Sequence, residues 1–195
     1  MTHIMPKQRE ELSELEPMLK MVEASMGFLP TSMLTMAHWP ELTQAFGGLG
    51  ATVLHSGELD AGLKQMIAFA VSNVAGCRYC QAHTANSAQK NSVSSEKIKA
   101  VFEFESSALF SDQEKAALRV AVHAGMVPNA VEAEHMSELS RYFSEKQVIE
   151  VVAVISLFGF LNRWNDTMAT TLESAPKNFA ADQLASHGWA AGKHE

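Results

Sequence analysis

The two cysteines of this 195-residue chain, Cys77 and Cys80, lie three positions apart, and His83 follows one helical turn later. Two thiols at this spacing at the start of a helix can close a disulfide. The N–H groups of the helix and a nearby imidazole can also stabilise a thiolate. The motif therefore predicts a redox-active dithiol.

Three other interpretations of the cysteine pair remain open from the residues alone. A structural zinc site commonly needs four ligands from two Cys/His pairs, and His123 and His135 lie far along the chain, so no metal is predicted. The thiols could be inert core residues, since free cysteine is often buried. A permanent disulfide would close a very short loop and so stabilise the fold little.

The composition limits the classes of partner. The chain has 22 acidic and 15 basic residues and a formal charge of −7, which disfavours nucleic acid. The first residues contain no apolar signal-peptide core, and the longest apolar run, from Val151 to Phe160, is interrupted by Ser156. These features predict a cytoplasmic protein that does not bind membranes. No glycine-rich phosphate loop or dinucleotide fingerprint is present, so no cofactor is predicted.

The periodicity of apolar residues predicts a single all-α domain over residues 1–195, because apolar positions recur every three and four residues. Ser111 and Glu114 form a capping-box pattern at one helix start. The predicted helices span about 8–26, 40–55, 59–74, 77–90, 94–104, 112–125, 130–142, 145–172 and 178–187.

An internal similarity divides this domain into two related helical repeats. Segments starting at Gln65 and at Glu150 each place a polar residue before an apolar helical run. Residues 77–80 and 162–165 follow these starts at equal distances in sequence. When the two segments are aligned, arginine matches arginine, an aromatic residue matches an aromatic residue, and the two cysteines match asparagines. The pattern predicts a thiol-bearing repeat at about 40–105 and a degenerate repeat at about 112–175.

Residues 63–72 and 75–84 resemble the core of the alkyl hydroperoxidase D-like, carboxymuconolactone decarboxylase superfamily. Residues 26–30, 38–42 and 158–166 are similar to its peroxidase-related subgroup. The resemblance implies an AhpD-like helical bundle that assembles into homotrimers or homohexamers. In members with both thiols it also implies reduction of hydroperoxides by the cysteine pair, which an external dithiol, a protein or a lipoamide-like carrier, recharges.

The resemblance also implies roles for single residues. Cys80 would be the peroxidatic cysteine and Cys77 the resolving one. The histidine of the family usually follows the second cysteine by four positions, whereas here Thr84 holds that place and the histidine is His83. On a helix this turns the imidazole by about 100° but leaves it a neighbour of Cys80.

A second departure concerns the proton relay. Many members of the family have glutamate twelve residues before the first cysteine, where this chain has Gln65, which cannot titrate. His83 and Glu150, the residue that corresponds to Gln65 in the second repeat, are the candidate bases. Arg163 and Asp166 are expected to form a structural ion pair.

These observations predict an alkyl hydroperoxide reductase that uses the dithiol of Cys77 and Cys80. Decarboxylation of a lactone acid is an alternative reaction of the superfamily, but it needs no thiol pair. A slowly oxidised or non-catalytic oligomeric stress protein is the other alternative, which the substitution of glutamate by Gln65 keeps open.

Overall fold

The computed structural model describes residues 2–195, which form ten α-helices and no strand, so the all-α prediction is confirmed. Short 3-10 turns lie at Arg9–Glu11, Ser13–Leu15, Ala100–Glu103, Ala185–His187 and Gly192–His194. The helices are α1 (Glu16–Met26), α2 (Thr31–Met36), α3 (Pro40–His55), α4 (Ala61–Ala75), α5 (Arg78–Lys90), α6 (Ser95–Lys99), α7 (Asp112–Gly125), α8 (Ala133–Tyr142), α9 (Glu145–Met168) and α10 (Ser174–Gln183).

The centre of the fold is α4, which packs against α5, α7 and α9. Every residue of this helix from Lys64 to Ser72 is buried, and its apolar side chains point to all sides. A helix that is apolar all round must be covered on all faces. The surrounding helices therefore fix the position of α4, whose last residue, Ala75, lies just before the cysteines.

A tight reversal between α4 and α5 positions the dithiol. Gly76 ends α4 in the left-handed region with φ 74°, which a glycine adopts without strain. Cys77 follows as the N-cap residue of α5, and Cys80 lies in the first turn of that helix. The sequence Gly-Cys thus turns the chain and places the first thiol at a helix N-terminus.

Several helix boundaries differ from the predicted ones for local reasons. The short helix α2 was not predicted. Helix α9 was expected to reach residue 172 but ends at Met168, because Ala169 adopts a positive φ of 48°. Helix α10 begins earlier than predicted, at Ser174, since Pro176 fits in a first turn where its missing N–H breaks no helix hydrogen bond. The capping box of Ser111 and Glu114 forms as expected.

Helix α9 is the one described helix whose length and composition would allow it to cross a membrane, with 24 residues and a mean hydropathy of 1.3. In the fold it packs against α3, α4, α5, α7 and α8. The residues aligned with the Cys-x-x-Cys segment, 162–165, continue this helix without a break. The second predicted repeat therefore lacks the reversal that forms the first site.

Candidate functional site

The two cysteines are free thiols and almost completely buried, with 0% and 2% of their surfaces exposed. The sulfur of Cys77 accepts a hydrogen bond from the backbone N–H of Cys80 at 3.4 Å. A hydrogen bond from the Cys80 side chain lowers the pKa of Cys77, and this N–H adds to it, against the opposing effect of burial. Cys77 is therefore the member of the pair that holds a negative charge more easily.

Cys80 lies deeper and has the opposite tendency. Burial raises the pKa of its thiol well above the ordinary value, and the neighbouring Cys77 adds to this effect. Asn165 of α9 donates its amide N–H to the Cys80 sulfur at 3.4 Å, which partly offsets the burial. Of the two thiols, Cys77 is thus the one that ionises first and Cys80 the one that keeps its proton longer.

A network of acid and base groups lies along the same helix. His83 donates from Nε2 to Oε2 of Glu173 at 2.6 Å, and its ring stacks on Tyr79 with centroids 4.2 Å apart. The Tyr79 hydroxyl and the Thr31 backbone N–H donate to Oε1 of the same carboxylate, at 2.8 and 2.5 Å. One carboxylate therefore fixes both aromatic rings beside the dithiol.

Burial and hydrogen bonds shift the pKa values of Glu173 and Tyr79 in opposite directions. Burial tends to raise the pKa of Glu173, but the charge and hydrogen bond of His83, with the Thr31 N–H, outweigh it and lower the pKa to about 2. Burial and the charge of Glu173 raise the pKa of Tyr79 above its ordinary value. Glu173 is thus a carboxylate at neutral pH, and Tyr79 stays neutral.

A second group of polar side chains meets Cys77 from the other side. The Cys77 sulfur, a carboxylate oxygen of Asp166 and a ring nitrogen of His194 all lie within 4.8 Å of one another. Asp166 pairs with Lys193 at 2.8 Å, and His194 Nε2 is 3.6 Å from its other oxygen. The expected pair of Asp166 with Arg163 is not formed, because Arg163 donates instead to the Gly159 carbonyl.

Thiolate, imidazole and carboxylate are groups that can bind zinc, so this trio is the part of the described chain most suited to a metal. It supplies three protein ligands, and Lys193 competes for the carboxylate. The sequence prediction of no metal stays a prediction.

Several buried polar atoms near the site lack a hydrogen-bond partner in the structure. They are both amide atoms of Asn162, the Oδ1 of Asn165, the Thr170 hydroxyl and the Nε2 of His194. Buried polar groups are nearly always paired in native proteins, so an unpaired cluster requires an explanation. These atoms are available to water or to a polar group of a substrate.

A cleft of about 1420 Å³ leads toward this cluster from the surface. Most of its lining is apolar and comes from the last turns of α4, from α7 and from α9. Neither cysteine lines the cleft, but Asp166, which does, has a carboxylate oxygen within 4.8 Å of the Cys77 sulfur. The lining of the cleft includes Val71, Val74, Val120, Ile155, Asn162 and Asp166.

The structure places the other two predicted site residues away from the thiols. Gln65 is buried near the start of α4, about 15 Å along the helix axis from the end that precedes Cys77. The Glu150 carboxylate accepts the backbone N–H groups of Glu58 and Leu59, at 2.8 to 3.0 Å, and lies 3.5 Å from Lys64. It thus stabilises the loop before α4, at the opposite end from Cys77.

Sequence reasoning missed Glu173 and His194, which contribute the carboxylate and the second imidazole. Glu173 lies 90 positions after His83, and His194 lies 24 positions after Thr170, to whose carbonyl it is bonded. Neither belongs to a motif with a recognisable spacing. Asn165, which the repeat aligns with Cys80, contacts Cys80 directly, and its place in the repeat does not indicate this contact.

Comparison with known proteins agrees with the sequence resemblance. The model of the carboxymuconolactone decarboxylase family matches residues 40–123. The crystal structure of the debrominase Bmp8, as its C82A variant in complex with 2,3,4-tribromopyrrole, is 38% identical in sequence with a TM-score of 0.87. The similarity covers 93% of this chain and 97% of Bmp8.

More distant proteins resemble this chain in fold or in sequence. An uncharacterised peroxidase-related protein from Silicibacter sp. TM1040 has a TM-score of 0.78 at 17% identity, covering 89% of this chain and 92% of that one. The uncharacterised protein YnjA of Escherichia coli K12 is 28% identical over 110 residues, which are 56% of this chain. This chain spans 60% of the length of YnjA.

Proposed function

Since the chain belongs to the alkylhydroperoxidase D-like, carboxymuconolactone decarboxylase superfamily, we propose that it is a reductase in which Cys77 and Cys80 supply two electrons to a small organic molecule and become a disulfide. The observation that carries this proposal is the asymmetry of the buried pair. One thiol is at a helix N-cap with a lowered pKa, and the other holds its proton beside it. A nucleophile and a resolving thiol need this difference.

In this proposal Cys77 makes the first attack and Cys80 resolves the intermediate. This order is the reverse of the one implied by the family resemblance. The lowered pKa of Cys77 and its closeness to Asp166, which lines the cleft, favour this order. The thiolate is the reactive form of cysteine, so the thiol that ionises first is the nucleophile.

A halogenated aromatic ring is the first substrate class. The similarity to Bmp8 extends over nearly the whole of both chains, and that debrominase binds a brominated pyrrole. The Cys77 sulfur would attack the halogen, the carbon–halogen bond would break, and the electron pair left on the ring carbon would take a proton. The Cys80 sulfur then displaces halide from Cys77 and loses its own proton, which forms the disulfide.

The network around Glu173 has the properties of the proton donor in this step. His83 donates its Nε2–H to the Glu173 carboxylate, and both residues lie on or against the helix that carries the thiols. An imidazole whose partner fixes its orientation is an effective general acid near neutral pH. The net reaction converts the aryl halide and two thiols into the arene, a disulfide, halide and a proton.

An organic hydroperoxide is the second substrate class, favoured by the family resemblance and by the fold shared with peroxidase-related proteins. Here the Cys77 sulfur attacks the terminal peroxide oxygen, the O–O bond breaks and an alcohol leaves with a proton. Cys80 then attacks the sulfenic sulfur and releases water, which closes the same disulfide. The apolar cleft is more suitable for an alkyl hydroperoxide than for hydrogen peroxide.

Both reactions require an external reductant that reopens the disulfide, and a dithiol protein or dihydrolipoamide suits a Cys-x-x-Cys pair. A homotrimer or homohexamer is also part of the proposal. Helix α9 presents Ile149 and Phe160 at the surface with 68% and 40% exposure, and these side chains suit contact with a second subunit.

A direct competition between the substrates tests the proposal. The reduced protein is mixed with 2,3,4-tribromopyrrole, cumene hydroperoxide or hydrogen peroxide, with excess dihydrolipoamide or thioredoxin. Bromide release, peroxide consumption and thiol loss are measured over many turnovers. Cys77→Ser and Cys80→Ser are the controls, and both should abolish turnover. Failure of every substrate to oxidise the thiols would favour the non-catalytic alternative instead.

A further inference from the structure

Neither cysteine can be reached from outside the folded chain in this conformation. Their exposed fractions are 0% and 2%, and neither residue lines the cleft. The external dithiol of the proposed function must nevertheless touch one sulfur, because its thiolate forms a new S–S bond with that sulfur while the other cysteine leaves as a thiolate. The second thiol of the carrier then displaces the bound cysteine, so the carrier becomes the disulfide and its two protons pass to Cys77 and Cys80. Part of the fold must therefore move to admit the reductant.

The strap, our name for residues 188–194, packs on the end of α5 that carries Cys77. Trp189 donates its indole N–H to the Arg78 carbonyl at 3.2 Å. A ring nitrogen of His194 lies within 4.8 Å of the Cys77 sulfur. Trp189 and His194 are both buried, with 6% and 1% of their surfaces exposed. The strap thus covers the N-cap of α5, where the first thiol lies.

Polar contacts to the segment after α9 fasten the strap. The Leu172 backbone N–H donates to the His194 carbonyl at 2.9 Å, and the His194 ring donates from Nδ1 to the Thr170 carbonyl at 2.8 Å. Lys193 pairs with Asp166 at 2.8 Å, but nearly half of each side chain is exposed, so this ion pair stabilises the strap little. Short polar contacts, rather than the packing of a long helix, thus hold the strap in place.

Two glycines of the strap adopt left-handed backbone conformations. Gly188 precedes Trp189 with a φ of 77°, and Gly192 precedes Lys193 with a φ of 57°. A Cβ atom added at either glycine would meet nothing within 4 Å, so backbone conformation and not space favours glycine there. Glycine populates positive and negative φ about equally well, so the chain can rotate most freely at these two positions.

We propose that the strap is a gate that rotates about Gly188 and Gly192 and, when open, exposes Cys77 to the external dithiol. The other elements that contact the dithiol segment, such as α4 and α9, are long helices packed within the fold. Opening of a short segment with a single 3-10 turn disrupts far fewer contacts than displacement of either helix. The identity of the reductant rests on the proposed function, whereas the opening itself does not.

The test times the alkylation of Cys77 by iodoacetamide in the reduced chain, with the labelled residue located by mass spectrometry. No substrate or reductant is present, so the labelling does not depend on the proposed reaction. Gly192→Ala strains the closed strap through its φ alone and adds no charge near the thiols. Gly27→Ala is the matched control, since Gly27 has a φ of 82° at the end of α1, outside the strap.

Gly192→Ala should raise the labelling rate by about 5- to 30-fold, because strain in the closed strap alone shifts the population toward the open one. Gly27→Ala should leave the rate unchanged. Reduction of the oxidised chain by dihydrolipoamide should accelerate in Gly192→Ala by the same factor. An unchanged labelling rate in Gly192→Ala, an equal increase in both variants, or faster labelling without faster reduction would overturn the proposal.

Amide hydrogen exchange in the wild-type chain is a second measurement, which needs no variant to fold. The Leu172 N–H is bonded to the His194 carbonyl, so it exchanges whenever the strap opens. The Phe69 N–H, in the buried centre of α4, reports opening of the whole fold. After correction for intrinsic rates, Leu172 should exchange faster than Phe69. Equal protection of both amides would mean that the strap opens only when the chain unfolds, which would contradict a gate.

Discussion

Replacement of Glu173 by glutamine should remove a specific pH dependence of stability. The carboxylate is the shared partner of His83, Tyr79 and the Thr31 backbone. Glutamine has nearly the same shape, and its carbonyl oxygen can still accept from Tyr79 and Thr31. Glu173→Gln therefore removes mainly the negative charge that faces His83.

The size of the effect follows from the pKa of the carboxyl group. In the folded protein the pKa is lowered from 4.5 to about 2. At about 1.4 kcal/mol for each pH unit, the charged form contributes about 3 kcal/mol to the free energy of unfolding. Because the folded pKa is the lower one, this stabilisation is complete above about pH 5. It falls to about 1 kcal/mol near pH 3 and vanishes below pH 2 or so.

The measurement is urea unfolding of both proteins between about pH 7 and pH 3, at one protein concentration and ionic strength. The gap in unfolding free energy between wild type and Glu173→Gln should shrink by about 2 kcal/mol as the pH falls. Glu41→Gln, at an exposed carboxylate in the first turn of α3, is the control and should show a nearly constant gap. A constant gap for Glu173→Gln would refute the assignment of a charged, paired carboxylate.

Three further outcomes are expected. After oxidation of the Cys80→Ser protein, a sulfenic-acid probe should label Cys77. If the probe labels Cys80 in the Cys77→Ser protein and does not label Cys77 in the Cys80→Ser protein, the order implied by the resemblance is the right one. Gly76→Ala should lower the unfolding free energy by about 1–2 kcal/mol, because alanine is strained at a φ of 74°. Gly48→Ala, in the middle of α3, is the control and should not lower it. Equal effects of the two changes would show that the turn at Gly76 causes no strain. Light scattering of the wild type should give a mass that is a multiple of the 21.3 kDa chain mass, and Ile149→Lys should lower the mass of this assembly. A wild-type monomer would exclude the subunit contact on α9.

The helical fold could be predicted from the sequence because its signals are local. The cap at Ser111, the glycine before Cys77 and the apolar periodicity each act within a few residues. The end of α9 at Met168 could not be predicted, since Ala169 adopts a left-handed conformation that alanine rarely takes without tertiary contacts.

The site could be predicted only where its members are neighbours in sequence. Cys77, Cys80 and His83 lie within two turns of one helix, so their spacing carries the information. Glu173 and His194 reach the same place through the path of the chain after α9, and nothing in their own surroundings marks them. The repeat places Glu150 opposite Gln65, but the free backbone N–H groups of the loop before α4 determine its contacts.

The arrangement of these residues follows from the need to move protons as well as electrons. When a dithiol becomes a disulfide it gives up two electrons and two protons, and each proton needs a group that accepts or delivers it. Two imidazole and carboxylate couples lie at the dithiol, His83 with Glu173 along α5, and His194 with Asp166 beside Cys77. If each couple manages one proton, removal of one imidazole should slow a single half of the cycle. Rapid-mixing measurements of thiol oxidation and disulfide reduction on His83→Asn and His194→Asn would separate the two halves, and equal slowing of both steps by both variants would contradict this division.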